Sequence, residues 1–205
     1  MRGPGADVTA CAGGYLIGSV PVGLLIGRAV RGLDVREHGS GSIGTTNVLR
    51  LVGPTAAALT FGLDVGKGAV AVVAARRLGA SRQAQAVAGF TCVVGHCWPL
   101  FAKFRGGKGV ATSFGGVIAM SPEATFGAMA AGLPAVAATR IVSVGSLVAA
   151  AGAVAGAGVQ LRRSGDVAGP AFVAAVAGLV VARHSANIGR LLRGAEPRVS
   201  LRRSS

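Results

Sequence analysis

The chain has 205 residues, of which 51% are hydrophobic, 14% charged and 4% aromatic, with a mean hydropathy of +0.60. A soluble domain carries about 25% charged residues, so this composition excludes an ordinary soluble domain and points to an integral membrane protein. The net charge of +14, from 21 Lys+Arg against 7 Asp+Glu, falls in short loops between apolar runs; with few aromatics for base stacking, it fits positive-inside topology and an anionic lipid surface and argues against a nucleic-acid partner.

The first apolar run, Val8 to Gly27, is uncharged and long enough to span a bilayer. Asp7 precedes it and no small-residue cleavage signal follows, so it reads as a retained helix, with Arg28, Arg31 and Arg36 holding its C-terminal end in the cytoplasm. A polar loop follows, His38 to Arg50, rich in the Gly, Ser, Thr and Asn of tight turns. Pro54 to Ala75 is the second span, with Asp64 and Lys67 three apart on one helical face, where they can pair. Arg76 to Arg82 is a short basic connection, and Gln83 to Ala102 is the third uncharged run.

That run ends in G-H-C-W-P-L-F-A-K-F-R-G-G-K-G-V-A-T, Gly95 to Thr112. Gly106, Gly107 and Gly109 let the backbone bend and bring N–H groups to a ligand, and Lys103, Arg105 and Lys108 surround the bend with positive charge. Backbone N–H groups plus cations make a phosphate cradle. The loop is not a Walker A motif, because Gly109 follows Lys108 where Ser or Thr is required.

Val110 to Met120 and Ala124 to Thr139 are apolar but short, separated by Ser121-Pro122-Glu123. They read as a half-depth pair or a re-entrant element. Ile141 to Leu161 and Val167 to Ala182 are full spans, and a basic tail begins at Arg183. The expectation is an all-α integral membrane protein in a single polytopic domain over residues 1–205, with about seven transmembrane segments, five full spans plus two short ones. The N-terminus lies outside and the C-terminus in the cytoplasm, the assignment that puts most Lys and Arg inside. The small-residue run Ala149 to Gly158 is a helix-packing face. Cys11, Cys92 and Cys97 are expected to be buried small residues, neither a disulfide framework nor a metal site.

In this topology the loops 38–50, 95–112 and 183–196 share the cytoplasmic side, joined by Arg140 and Ser143. The set is rich in anion-binding groups and almost free of carboxylates, wrong for a metal hydrolase and suited to a phosphate-bearing ligand. His184 and Asn187, three apart in the tail, share a helical face. A phosphate transporter is the competing class, and an inverted repeat, its usual sign, is not found in the sequence.

Taken in order, these stretches resemble the bacterial acyl-phosphate:glycerol-3-phosphate acyltransferase family over nearly the whole chain. The similar segments are Tyr15 to Gly23, Gly39 to Arg50, Asp64 to Gly68, Gly95 to Thr112, Arg140 to Ser146 and Arg183 to Glu196. Departures are local: Ser42 where the family usually has Asn, Thr45 where it has Ala, Arg105 for a common Lys, and Pro197-Arg198 where a Lys is usual. The resemblance implies acyl transfer from acyl phosphate to the sn-1 hydroxyl of glycerol 3-phosphate, giving lysophosphatidic acid and phosphate, in the bacterial cell membrane with the site facing the cytoplasm. It implies no cofactor, and an upstream enzyme that forms acyl phosphate. By the same resemblance His184, Lys108 and Asn187 are catalytic, while Ser40, Thr46, Asn47, Arg50, His96, Gly106, Gly107, Gly109, Thr112, Arg140, Ser143 and Arg183 bind substrate. The general base is either His184 or a substrate phosphate.

Overall fold

The computed structural model describes residues 4–198; Arg2, Arg202 and Arg203, which enter the charge bias, lie outside them. The described residues form ten α-helices and no strand. Four of the helical stretches are long and apolar enough to cross a membrane: 5–31, 54–77, 82–102 and 142–164. A fifth candidate is the pair 168–183 and 185–192, bent by 57°.

The chain divides into two compact units, residues 1–120 and 121–205. In the first, α1 (Pro4–Gly18) and α2 (Val22–Arg31) share one apolar stretch, interrupted at Pro21, which has no N–H to continue α1's hydrogen bonding. The loop expected over 38–50 contains a short helix of its own, α3 (Thr45–Leu51). α4 (Pro54–Arg77), α5 (Arg82–Cys97) and α6 (Val110–Met120) complete the unit.

α1 lies along α5, and α4 along both α5 and α6. The approach is backbone to backbone. A Cβ at Gly18 would strike the Cys92 carbonyl of α5, and one at Gly68 would strike the Thr112 carbonyl of α6. Small residues at crossings are how membrane helices pack where apolar burial gives little drive. Around the polar loop the packing is that of a soluble core: Leu24, Val35, Ile43, Val48, Val52, Ala56 and Ala102 form one buried cluster.

α6 explains its own shortness. It starts beside Gly68, halfway along α4, and its last carbonyls, Ala119 and Met120, accept from Arg76 (2.7 Å) and Arg82 (2.8 Å) at the far end of α4 and the start of α5. α4 and α6 therefore run parallel, and the 11 residues of α6 need cover only the second half of α4's length.

The second unit is built on α7 (Pro122–Thr139) and α8 (Val142–Ser164), with α9 (Ala168–Arg183) on α8 and α10 (Ser185–Leu192) turning off α9. Gly152 and Gly156, in the small-residue run read as a packing face, meet the backbone of α7 at Gly127 and Glu123. The two short segments of the sequence reading thus each lie along a long helix of their own unit.

Candidate active site

In the first unit the glycine loop is held from below. α5 ends at Cys97, the chain turns out through a single 3-10 turn (Leu100–Ala102), then doubles back. Lys103 (φ 54°) and Phe104 (φ 58°) are both left-handed, a costly pair for residues with side chains. The Gly107 N–H donates to the His96 carbonyl at 3.0 Å. The imidazole of His96 lies flush on the Gly107 Cα, leaving no room for a Cβ there, and the Cα of Gly106 sits as tightly on the His96 carbonyl. Gly109, left-handed at φ 83°, leads into α6. Lys108, half-buried, rides on this loop.

His96 itself is 3% exposed and part of a buried ionic group. The Lys67 ammonium is 2.8 Å from Asp64 Oδ1 and 2.8 Å from His96 Nδ1, and it donates to the Val20 carbonyl at 3.1 Å. At the start of α6, Thr112 and Ser113 are buried with hydroxyls that have no partner among the described residues.

The loop before α3 is tied to the glycine loop by two arginines: Arg105 Nη2 donates to the Arg36 carbonyl (3.4 Å), and Arg36 reaches back. The Arg36 guanidinium donates to both oxygens of Asp34 (2.9 and 2.6 Å) and, through Nη1, to the Ala102 carbonyl (2.8 Å). The hydrogen bonds from Arg36 hold the Asp34 carboxyl well below the usual range, against the burial that pushes it up. Asn47 is buried and spends its amide on its own loop, donating to the carbonyls of Val35 (2.7 Å) and Ser42 (2.9 Å) and accepting the Ser40 N–H (3.0 Å). It shapes the loop that presents Ser40. Among the described residues the side chains of Ser40, Thr46, Arg50 and Arg140 make no hydrogen bond to protein.

The second unit gathers its polar groups on Glu196. Ser143 Oγ (2.7 Å) and Asn187 Nδ2 donate to Oε1, and Arg190 Nε donates to Oε2 (2.7 Å). Burial raises the Glu196 carboxyl, but these donors outweigh it and hold it below its ordinary value. Asn187 Oδ1 is buried without a partner among the described residues. His184, 2% exposed, stands at the bend between α9 and α10, next to the half-buried Arg183. Its Nδ1 is 2.7 Å from the Val180 carbonyl, which can only accept, so Nδ1 carries the proton of the neutral ring and Nε2 is the basic nitrogen. Arg140 caps α7 in the left-handed region (φ 58°).

The structure thus unites His96 with Gly106 and Gly107, Asn47 with Ser40, and Ser143 with Asn187. The sequence reading assigned no site role to Glu196, Asp34 or Arg36, and used Arg36 only as a cytoplasmic charge. Glu196 had a signal, being the one carboxylate of the tail, whereas the roles of Asp34 and Arg36 depend on where Ala102 folds.

A family model described as glycerol-3-phosphate acyltransferase matches residues 8–194. The glycerol-3-phosphate acyltransferase of Synechococcus sp. (strain CC9902) is 43% identical over 187 residues, covering 91% of this chain and 92% of that protein. The chain belongs to the glycerol-3-phosphate acyltransferase family. That of Roseobacter denitrificans is 44% identical over 186 residues, covering 91% and 90%. Among solved structures, crystals of PlsY (YgiH), an integral membrane glycerol 3-phosphate acyltransferase, match with TM-scores of 0.85 for its glycerol 3-phosphate form and 0.82 for its lysophosphatidic acid form. Both are 33% identical and cover 95% of this chain and, respectively, 96% and 95% of theirs. With its four or five apolar spans, this member of the family is a multi-pass membrane protein.

Proposed function

We propose that the chain transfers a fatty acyl group from acyl phosphate to the sn-1 hydroxyl of glycerol 3-phosphate, releasing phosphate, at the cytoplasmic face of a bacterial cell membrane. The observation that carries this reading is the glycine loop folded back on His96 with Lys108 upon it, in a chain whose relatives are named glycerol-3-phosphate acyltransferases. Glycerol 3-phosphate and the acyl donor both bring phosphate to a cationic, carboxylate-poor set of side chains. An acyl phosphate is the donor that suits such a set. Its leaving group is a phosphate with second pKa about 6, so it departs without a strong acid. An upstream enzyme must then supply acyl phosphate.

In this reading Lys108 and the Gly106–Gly109 backbone hold a phosphate and stabilise the charge that develops as the acyl group moves. Arg50, Ser40 and Thr46, whose side chains make no hydrogen bond among the described residues, take the glycerol 3-phosphate end, and in the second unit Arg140, Arg183 and Ser143 are assigned to substrate binding. Thr112 Oγ1 is a further polar atom for the ligand, and Asn187 Oδ1 accepts a donor such as the glycerol hydroxyl. His184 Nε2 or a substrate phosphate takes the hydroxyl proton. In this reading the N-terminus lies outside and the C-terminus inside, with seven segments between.

The test is purified protein in lipid with palmitoyl phosphate and glycerol 3-phosphate, following phosphate and lysophosphatidic acid, with palmitoyl-CoA and palmitoyl-acyl carrier protein in parallel. Lys108→Ala should lower turnover by about 100-fold or more. Near-normal turnover there removes the cradle assignment. Product from the thioesters alone removes the donor. An effect of His184→Ala on KM without kcat makes His184 a binder and leaves the substrate phosphate as base.

A further inference from the structure

Lys67 is 8% exposed, sits in the middle of a membrane-length helix and is used by none of the steps above. A cation at that depth is costly and is kept only where something needs it. Its surroundings say what. An ammonium has three N–H donors and no acceptor. Those of Lys67 reach the Val20 carbonyl and His96 Nδ1, while the ammonium pairs with Asp64 Oδ1 at 2.8 Å as an ion pair. The last contact is informative: a ring nitrogen 2.8 Å from an ammonium must offer its lone pair, so Nδ1 is unprotonated and the ring proton is on Nε2. Asp64 Oδ1 is farther from Nδ1, at 3.5 Å, and its close partner is the ammonium.

The Nε2 edge is the one that lies against Gly107. The His96 carbonyl receives the Gly107 N–H and presses on Gly106. His96 therefore grips the glycine loop by its ring and its backbone together, and the ring's orientation and tautomer are fixed by Lys67, itself fixed by Asp64. We propose that Asp64 and Lys67 are positioning residues, holding His96 as the Nε2–H tautomer so that Gly106 and Gly107 keep the backbone shape that receives a phosphate. The inference rests on the reading of Gly106–Gly109 as a phosphate cradle. It also accounts for a buried ion pair that the packing of α4, α5 and α6 does not require, since apolar side chains there would cost no desolvation.

Two measurements on the full chain in lipid test it. The first needs no variant at the pair: ring nitrogen chemical shifts of ¹⁵N-histidine-labelled protein, with the His96 signals assigned by their loss in His96→Gln. A neutral ring with its proton on Nε2 is expected; an Nδ1–H ring or an imidazolium overturns the proposal. The second is the affinity for glycerol 3-phosphate by titration calorimetry, together with KM and kcat, in the wild type, Lys67→Met and Lys67→Arg. Lys67→Met should weaken binding and raise KM by about tenfold with kcat changed less than about threefold, and Lys67→Arg, which still donates to Nδ1, should restore part of the loss. A Lys67→Met protein that melts earlier but binds glycerol 3-phosphate normally makes the pair merely structural. Wild type that binds no glycerol 3-phosphate removes the cradle reading instead, and leaves the tautomer result to stand or fall by itself.

Discussion

Glu196 shows how much one carboxylate does in a chain with few of them. It is the acceptor for Ser143, Asn187 and Arg190 at once, drawn from α8 and α10. Glu196→Gln keeps the shape but offers one acceptor oxygen in place of two and turns an amide donor toward groups that already donate. The expected loss is about 1–3 kcal/mol, because a buried donor is left without its acceptor; it is read as an earlier thermal transition, with a fall in turnover as Asn187 and Ser143 lose their setting. The pH dependence follows from the depressed carboxyl. Glu196 binds its proton less readily folded than unfolded, so its contribution is complete above the unfolded value of about 4.3 and is lost as pH falls through the lower native value. Melting temperatures between pH 6 and 8 should differ little on this account. Below about pH 4 the wild type should lose stability toward that of Glu196→Gln. A variant as stable as wild type at pH 7 would show that the three donors do not depend on Glu196.

At the scale of elements, the glycines are the clearest test of what joins the helices. A Cβ at Gly152 would strike the Gly127 backbone of α7, whereas one at Gly158, six residues further on, meets nothing. Gly152→Ala should destabilise by about 1–3 kcal/mol through forced separation of α7 and α8, and Gly158→Ala should gain slightly, since Ala favours helix over Gly by about 1 kcal/mol. Equal melting shifts for both would refute the packing account. This contact was legible in the sequence, because runs such as Ala149–Gly158 leave backbone approach as the way to pack in lipid. The long spans were legible for the same reason: uncharged length is a direct readout of bilayer thickness. α6 was not. Its 11 residues were measured against a whole bilayer, but the Gly106–Gly109 loop starts it halfway along α4, and no local pattern tells where a loop doubles back. Asn47 was legible as polar and important, and not in its use, because its partners Val35 and Ser42 are set by the fold of the loop.

For the molecule as a whole, the open quantity is how many times it crosses the membrane, and α6 supplies the lever. Arg76 and Arg82 hold its last carbonyls, so the end of α6 lies at the same end of the first unit as the α4–α5 connection. If α4 crosses the bilayer, residue 122 must emerge on the side of Leu78 and opposite Arg31. A re-entrant pair entering and leaving from the cytoplasm would instead leave residue 122 at its tip, within the bilayer and shielded from outside. Single cysteines decide it. Cys92 and Cys97 are fully buried and only Cys11, partly exposed, needs removal, by Cys11→Ala. In that background Arg31→Cys, Leu78→Cys and Pro122→Cys, all at exposed positions, are treated in intact cells with a membrane-impermeant maleimide. Leu78→Cys and Pro122→Cys should label from outside and Arg31→Cys only after lysis, which is the pattern of seven segments with the basic loops inside. Labelling of Leu78→Cys with protection of Pro122→Cys would reduce α6 and α7 to a re-entrant element, and labelling of Arg31→Cys in intact cells would invert the orientation and with it the side on which both substrates must arrive.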